Sequence, residues 1–144
     1  MLVSHPKYEL SAPRVLTPLE YRALRDAASV DPRIYAIIEV LLQTGIRIGE
    51  LANLKMDDVS ENSLHIAPYE GHAAREVQVN RRAKEALKRY LAIRTKTDGV
   101  HVFVTKTGKP FLVRNIRDAV ERYFRKAGIE NAKINEFNQI DIYK

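Results

Sequence analysis

Residues 44–58 read TGIRIGELANLKMDD. The stretch begins where an apolar helical face ends: Ile34, Ile37, Ile38, Leu41 and Leu42 keep the i, i+3, i+4 spacing of a buried helix, and Gly45 supplies a left-handed turn that stops it. A shorter helix is predicted over 48–54, with Leu51 and Leu54 inward. Arg47 stands at the junction, rigidly mounted between a glycine-terminated core helix and a new helix start. A planar guanidinium there can donate two parallel hydrogen bonds to phosphate oxygens, and the helix start adds free backbone N–H groups and a favourable dipole end. Spacing alone also allows Arg47 to pair with Glu50, three residues on.

Upstream of this junction, Thr17 and Glu20 form a capping box with Pro18 at the first helical position, which predicts a helix over 18–28; Asp31 and Pro32 repeat the start signal for the core helix. Residues 1–16 hold Pro6 and Pro13 without sustained periodicity and read as an extended arm leading into one domain, 17–144. Downstream the period changes to two. Leu64 and Ile66 alternate with His65, and Val77 and Val79 alternate with Glu76 and Gln78, giving two strands joined by a hairpin connection over 68–74. Asn80 caps a helix over 81–94 with Ala83, Leu87, Tyr90 and Leu91 inward. Val102 to Val104 add a third strand, 107–110 turn the chain, and a last helix over 113–127 buries Ile116, Ala119, Val120, Tyr123 and Phe124 before Gly128 ends it. The expected fold is mainly α with a small antiparallel β-sheet at one edge.

A length of 144 residues suits one core. With no cysteine, the chain has no disulfide framework, no thiol nucleophile and no Cys-ligated zinc, which suits a reducing compartment; the expected location is the cytoplasm. The longest apolar stretch, around Ile34 to Leu42, is interrupted by Glu39 and is too short to cross a bilayer, and the first ten residues do not read as a secretory signal. Charge is segregated along the chain. Residues 71–126 carry 15 Lys/Arg and 5 Asp/Glu, net +10, whereas the remainder carries 9 and 13, net −4. Such a basic block gathers polyanions by releasing their condensed counterions, so nucleic acid is the leading partner class, set against a merely solvated set of basic helices.

The same residues resemble the catalytic domain of the tyrosine recombinases, which include phage and transposon integrases. The likeness runs from about Leu16 to Ile129: LTPLEYRAL as the opening helix, TGIRIGELANLKMDDV as the first arginine box, REVQV as the end of the small sheet, and VFVTKTGKP followed by a helix ending in RKAGI. Within the box, Gly45, Arg47, Glu50, Leu51, Leu54 and Asp58 all match. By this resemblance Arg47 is the first catalytic arginine, contacting a nonbridging oxygen of the scissile phosphate, and Glu50 is its supporter. The implied activity is strand exchange in duplex DNA through a phosphotyrosyl link, with arginines and other fixed donors neutralising transition-state charge, and with no metal or cofactor. Arg75, Arg81, Arg82, Lys106, Lys109, Arg114 and Arg117 are the expected DNA contacts.

Departures from the family pattern are equally specific. Where the family has a lysine general acid on the hairpin, this chain has Glu70; His72 on the same turn is the better chemical substitute, or else an exposed loop histidine. Asn135 and Asn138 stand where the family has a histidine and its second arginine, and Tyr143 follows that place too closely to be the nucleophile. Two readings remain open: a recombinase catalytic domain truncated or rearranged after about residue 130, or a degenerate relative that binds DNA without cutting it. Both imply no strand transfer by this chain alone. The family assembles tetramers on DNA by exchanging C-terminal segments; a monomer is expected here.

Overall fold

The computed structural model describes residues 16–129, 132–134 and 140–142. Helix α1 (Pro18–Ala28) starts as its capping box dictates: the Thr17 hydroxyl accepts from the Glu20 N–H at 3.1 Å and the Glu20 carboxylate accepts from the Thr17 N–H at 3.0 Å. Helix α2 (Pro32–Thr44) is capped by the Asp31 carboxylate, which accepts from the N–H groups of Arg33 and Ile34, and it stops at Gly45, whose φ of +71° only glycine adopts without strain. The sequence implies one buried face for α2. The structure buries it more widely, with Ile34, Ala36, Ile37, Ile38, Glu39, Val40 and Leu41 all inside, because α4 packs along it while α1, α3 and α5 close its other sides.

Helix α3 (Ile48–Ala52) ends two residues before the expected Leu54, which is buried all the same, and a single 3-10 turn follows at Met56–Asp58. Strands β1 (Ser63–Ile66) and β2 (Arg75–Gln78) pair antiparallel with Leu64 opposite Val77 and His65 opposite Glu76. Leu64 and Ile66 are buried on the face turned to the helices, as the alternation requires. Helix α4 (Arg81–Ile93) starts at Asn80, whose side-chain oxygen accepts from the Ala83 N–H at 3.0 Å. Helix α5 (Val113–Lys126) buries Ile116, Ala119, Val120, Tyr123 and Phe124 against α1, α2 and α3, and Gly128 at φ +73° turns the chain away.

The third strand expected at 102–104 does not form. Val102, Phe103 and Val104 are all buried, so the segment has no solvent face. The Tyr90 hydroxyl takes two of its peptide groups, donating to Val102 O at 2.8 Å and accepting from the Val104 N–H at 3.1 Å. Single bridges at Lys55–His101 and Val104–Pro110 replace a ladder, and Phe103 stacks on the Tyr90 ring with centroids 5.1 Å apart. The segment is therefore a core plug tied to α4 by the Tyr90 phenol and, at the helix C-cap, by Arg94 Nε, which donates to Val102 O at 3.1 Å.

A second antiparallel pair, β3 (Ala132–Ile134) and β4 (Ile140–Ile142), is not expected from the sequence; it aligns Ile134 with Ile140, and β3 lies beside α5. Most of the arm assigned to 1–16, the positions Asn135 and Asn138, and Tyr143 lie outside the described residues. Among the described residues no helix is long and apolar enough to cross a membrane.

Candidate functional site

Arg47 occupies the N-cap of α3 in extended conformation, φ −80° and ψ 152°, with its side chain half-buried. Its backbone N–H donates to Glu50 Oε1 at 2.9 Å, the acidic half of a capping arrangement. Glu50 itself is buried, 4% exposed, and its charge is taken from another direction. Arg75 on β2 donates through Nη1 to Oε2 at 2.7 Å and through Nη2 to Oε1 at 3.0 Å, a fork-to-fork pair. The Arg47–Glu50 ion pair allowed by spacing is thus not the one that forms. Among the described residues no carboxylate is bonded to the Arg47 guanidinium.

Burial pushes the Glu50 carboxyl up, but the Arg75 fork, the Arg47 N–H and the two nearby guanidinium charges outweigh it and hold the group below the usual glutamate range. Glu50 is therefore an anion that braces the loop, and Arg75 balances its charge.

The hairpin closes over this brace. Tyr69 and His72 exchange N–H···O bonds of 3.0 and 2.8 Å across a two-residue turn in which Glu70 has φ +45° and Gly71 φ +82°, the type I′ geometry suited to strand twist. Tyr69 then lays its ring on the first turn of α3: a Cβ at Gly49 would overlap the ring, so only glycine permits this approach. The turn is clamped beside the Arg47–Glu50 junction rather than hanging in solvent. Burial, together with the Glu70 and Glu50 charges, pushes the Tyr69 phenol up. His72 is exposed at the tip, and among the described residues its imidazole has no partner.

The other expected DNA contacts are spread over the surface. Arg81 is exposed and pairs with Glu85 at 2.7 Å, while Arg82 sits over the Tyr21 ring at 5.3 Å. Lys106 and Lys109 are exposed on the tight turn closed by Gly108 N–H to Thr105 O and Thr105 N–H to Lys109 O. Arg114 is exposed and Arg117 partly buried on α5. The structure brings together Arg47, Glu50 and Arg75, and adds Tyr69 and Gly49, which reading the sequence missed. Arg75, one of the expected DNA contacts, also gives its fork to Glu50. The available signal was period two: Arg75 lies two residues before Val77 and shares its half-buried face.

Residues 14–139 match the family described as Phage integrase family. The tyrosine recombinase XerC of Thermodesulfovibrio yellowstonii is 33% identical over 141 residues, covering 89% of this chain and 47% of that protein. The chain thus spans under half the length of such relatives. Among solved structures, the XerA recombinase superimposes with a TM-score of 0.74 at 36% identity, over 82% of this chain and 44% of that one. The Tn1549 transposon integrase, solved in complex with transposon right end DNA, shares the fold at 20% identity with a TM-score of 0.68, over 82% of this chain and 46% of that one. By sequence and by architecture alike, the chain belongs to the phage integrase family of tyrosine recombinases and has the fold of their catalytic domain.

Proposed function

We propose that this chain is the arginine-bearing part of a recombinase catalytic domain that grips duplex DNA through its phosphates, with Arg47 on a nonbridging oxygen of the phosphate to be cut. One observation carries this reading: Glu50 gives its charge to Arg75, so the rigidly mounted guanidinium of Arg47 has no acidic partner among the described residues. In the family's reaction a tyrosine oxygen forms a bond to phosphorus, the bond from phosphorus to the 5′ oxygen breaks, and that oxygen takes up a proton. Two donors from Arg47 would stabilise the charge that builds on the phosphoryl oxygens as the new bond forms. On the hairpin turn, His72 carries the imidazole chemically suited to deliver that proton.

Asn135 and Asn138 stand in place of the family's histidine and second arginine. Neither amide offers the cationic donor of an arginine, and we hold that residues 1–144 by themselves bind DNA as a monomer without exchanging strands. A non-catalytic DNA-binding module derived from a recombinase is the second reading, favoured by the same two asparagines and by Glu70. Duplex DNA titrated at low and moderate salt tests the shared claim: binding that weakens steeply with salt is expected, and absence of binding by folded protein refutes it. Arg47→Ala is expected to keep the fold and lose affinity. Suicide DNA substrates test the second reading: a covalent complex abolished by Tyr143→Phe would establish catalysis by this chain and exclude a non-catalytic module.

A further inference from the structure

On α1 and the first turn of α4 lies a recess of about 410 Å³ lined by Leu16, Pro18, Tyr21, Arg22, Arg25 and Arg82. Half of these residues are arginines. Among the described residues none of the three has a carboxylate partner, whereas Arg81, next to Arg82, spends its charge on Glu85. The guanidinium carbons of Arg25 and Arg82 stand 5.4 and 5.3 Å from the centroid of the Tyr21 ring, so one aromatic platform holds two like charges at the same opening.

That platform is fixed from below. The Tyr21 hydroxyl donates to Glu39 Oε1 and accepts from Gln43 Nε2 at 2.8 Å, and Gln43 Oε1 accepts from Asn80 Nδ2 at 2.6 Å. Glu39 is 1% exposed and engages the phenol rather than the guanidiniums, so the opening keeps its positive charge. Gln43 lies four residues before Arg47, so one hydrogen-bonded chain ties the recess to the helix end that carries the arginine loop. Three guanidiniums gathered at one opening, none of them bonded to a carboxylate among the described residues, outnumber the single buried acid beneath and favour an anion with several oxygens spaced to meet several forks.

We propose that this recess is a second phosphate site, occupied by consecutive backbone phosphates of the duplex that Arg47 touches, with Arg22, Arg25 and Arg82 as donors. The site rests on the DNA-binding reading above and extends it to residues on the opening helix. Backbone contacts of this kind add affinity and register without reading sequence.

The test is the salt dependence of binding to two duplexes of unrelated sequence, for the full chain, for Arg25→Gln/Arg82→Gln, and for Arg22→Gln, which leaves the Tyr21 platform intact and guards against misfolding of the double variant. Every phosphate that is no longer neutralised lowers the slope of log K against log salt by about 0.9. The double variant is therefore expected to lose about 1 to 2 in slope, equally on both duplexes, with its melting temperature retained. A folded double variant and a folded Arg22→Gln that both keep the full chain's slope and affinity overturn the site and leave the DNA reading standing. Absence of DNA binding by the full chain overturns both. In a parallel arm, inorganic phosphate and tripolyphosphate are added without DNA: if they raise the melting temperature of the full chain but not of the double variant, while the DNA slopes are equal, the site takes free phosphate and the duplex assignment falls.

Discussion

Replacing Glu50 by glutamine tests the brace beneath Arg47. The substitution keeps the shape and removes the charge that holds the Arg75 fork by bonds of 2.7 and 3.0 Å. Removing one partner of a buried ion pair typically costs about 3–5 kcal/mol, because the other charge is stranded. Here the Glu50 side chain is 0% exposed but that of Arg75 is 37% exposed, so water can recover part of the loss. We expect about 2–3 kcal/mol, at or below the bottom of that range, plus weaker capping of α3 through the Arg47 N–H. For a domain of this size that corresponds to a fall of roughly 5–10 °C in Tm.

Urea unfolding followed by circular dichroism measures the change directly, with the midpoint lowered and the slope unchanged. The pH dependence supplies an independent sign. Glu50 has a folded pKa below its ordinary value of 4.5, so its contribution is complete above that value and is lost as pH falls through the folded pKa. The gap between the parent chain and Glu50→Gln is therefore widest near neutrality and narrows below pH 4.5. Equal stability of the two proteins near neutrality, or a gap that stays constant into acid, would refute the role given to this carboxylate.

Two further substitutions probe how the hairpin and the core plug are held. Gly49→Ala drives a methyl group into the Tyr69 ring, whose outer end can swing away, so overpacking of about 1–3 kcal/mol is expected, offset in part by the better helix propensity of alanine. Its sharper signature is faster amide exchange at Tyr69 and His72, and Tyr69→Ala in the same chain should remove the overpacking penalty; unchanged exchange in Gly49→Ala counts against the clamp. Tyr90→Phe leaves the buried Val104 N–H without its acceptor and Val102 O without the phenol's donation, for a loss of about 1–3 kcal/mol in urea unfolding; a neutral result would mean that the 102–104 segment finds other partners.

Local signals in the chain determined most of the helices. The Thr17–Glu20 box, the Asp31 cap, the Asn80 cap and the glycines at 45 and 128 each act within a few residues, so the ends of α1, α2, α4 and α5 follow from neighbours along the chain. The period-two runs placed β1 and β2 for the same reason, because one face of a ribbon must meet the core. Local reasoning could not see that 102–104 would be sealed by a phenol from α4 and never join a sheet, since that depends on which side chain arrives from elsewhere.

The site divides along the same line. The chain by itself put Arg47 on a stiff bend with Glu50 one helical turn away, and it placed a basic block downstream. Only the tertiary structure decided that Glu50 belongs to Arg75, that Tyr69 covers Gly49, and that Arg22, Arg25 and Arg82 share one recess. Spacing in sequence says which groups can meet on one element. Which acid neutralises which cation is settled by a competition among elements for the few buried positions, and β2 wins Glu50 because its pleat points Arg75 inward, toward a carboxylate that must have a partner once water is excluded.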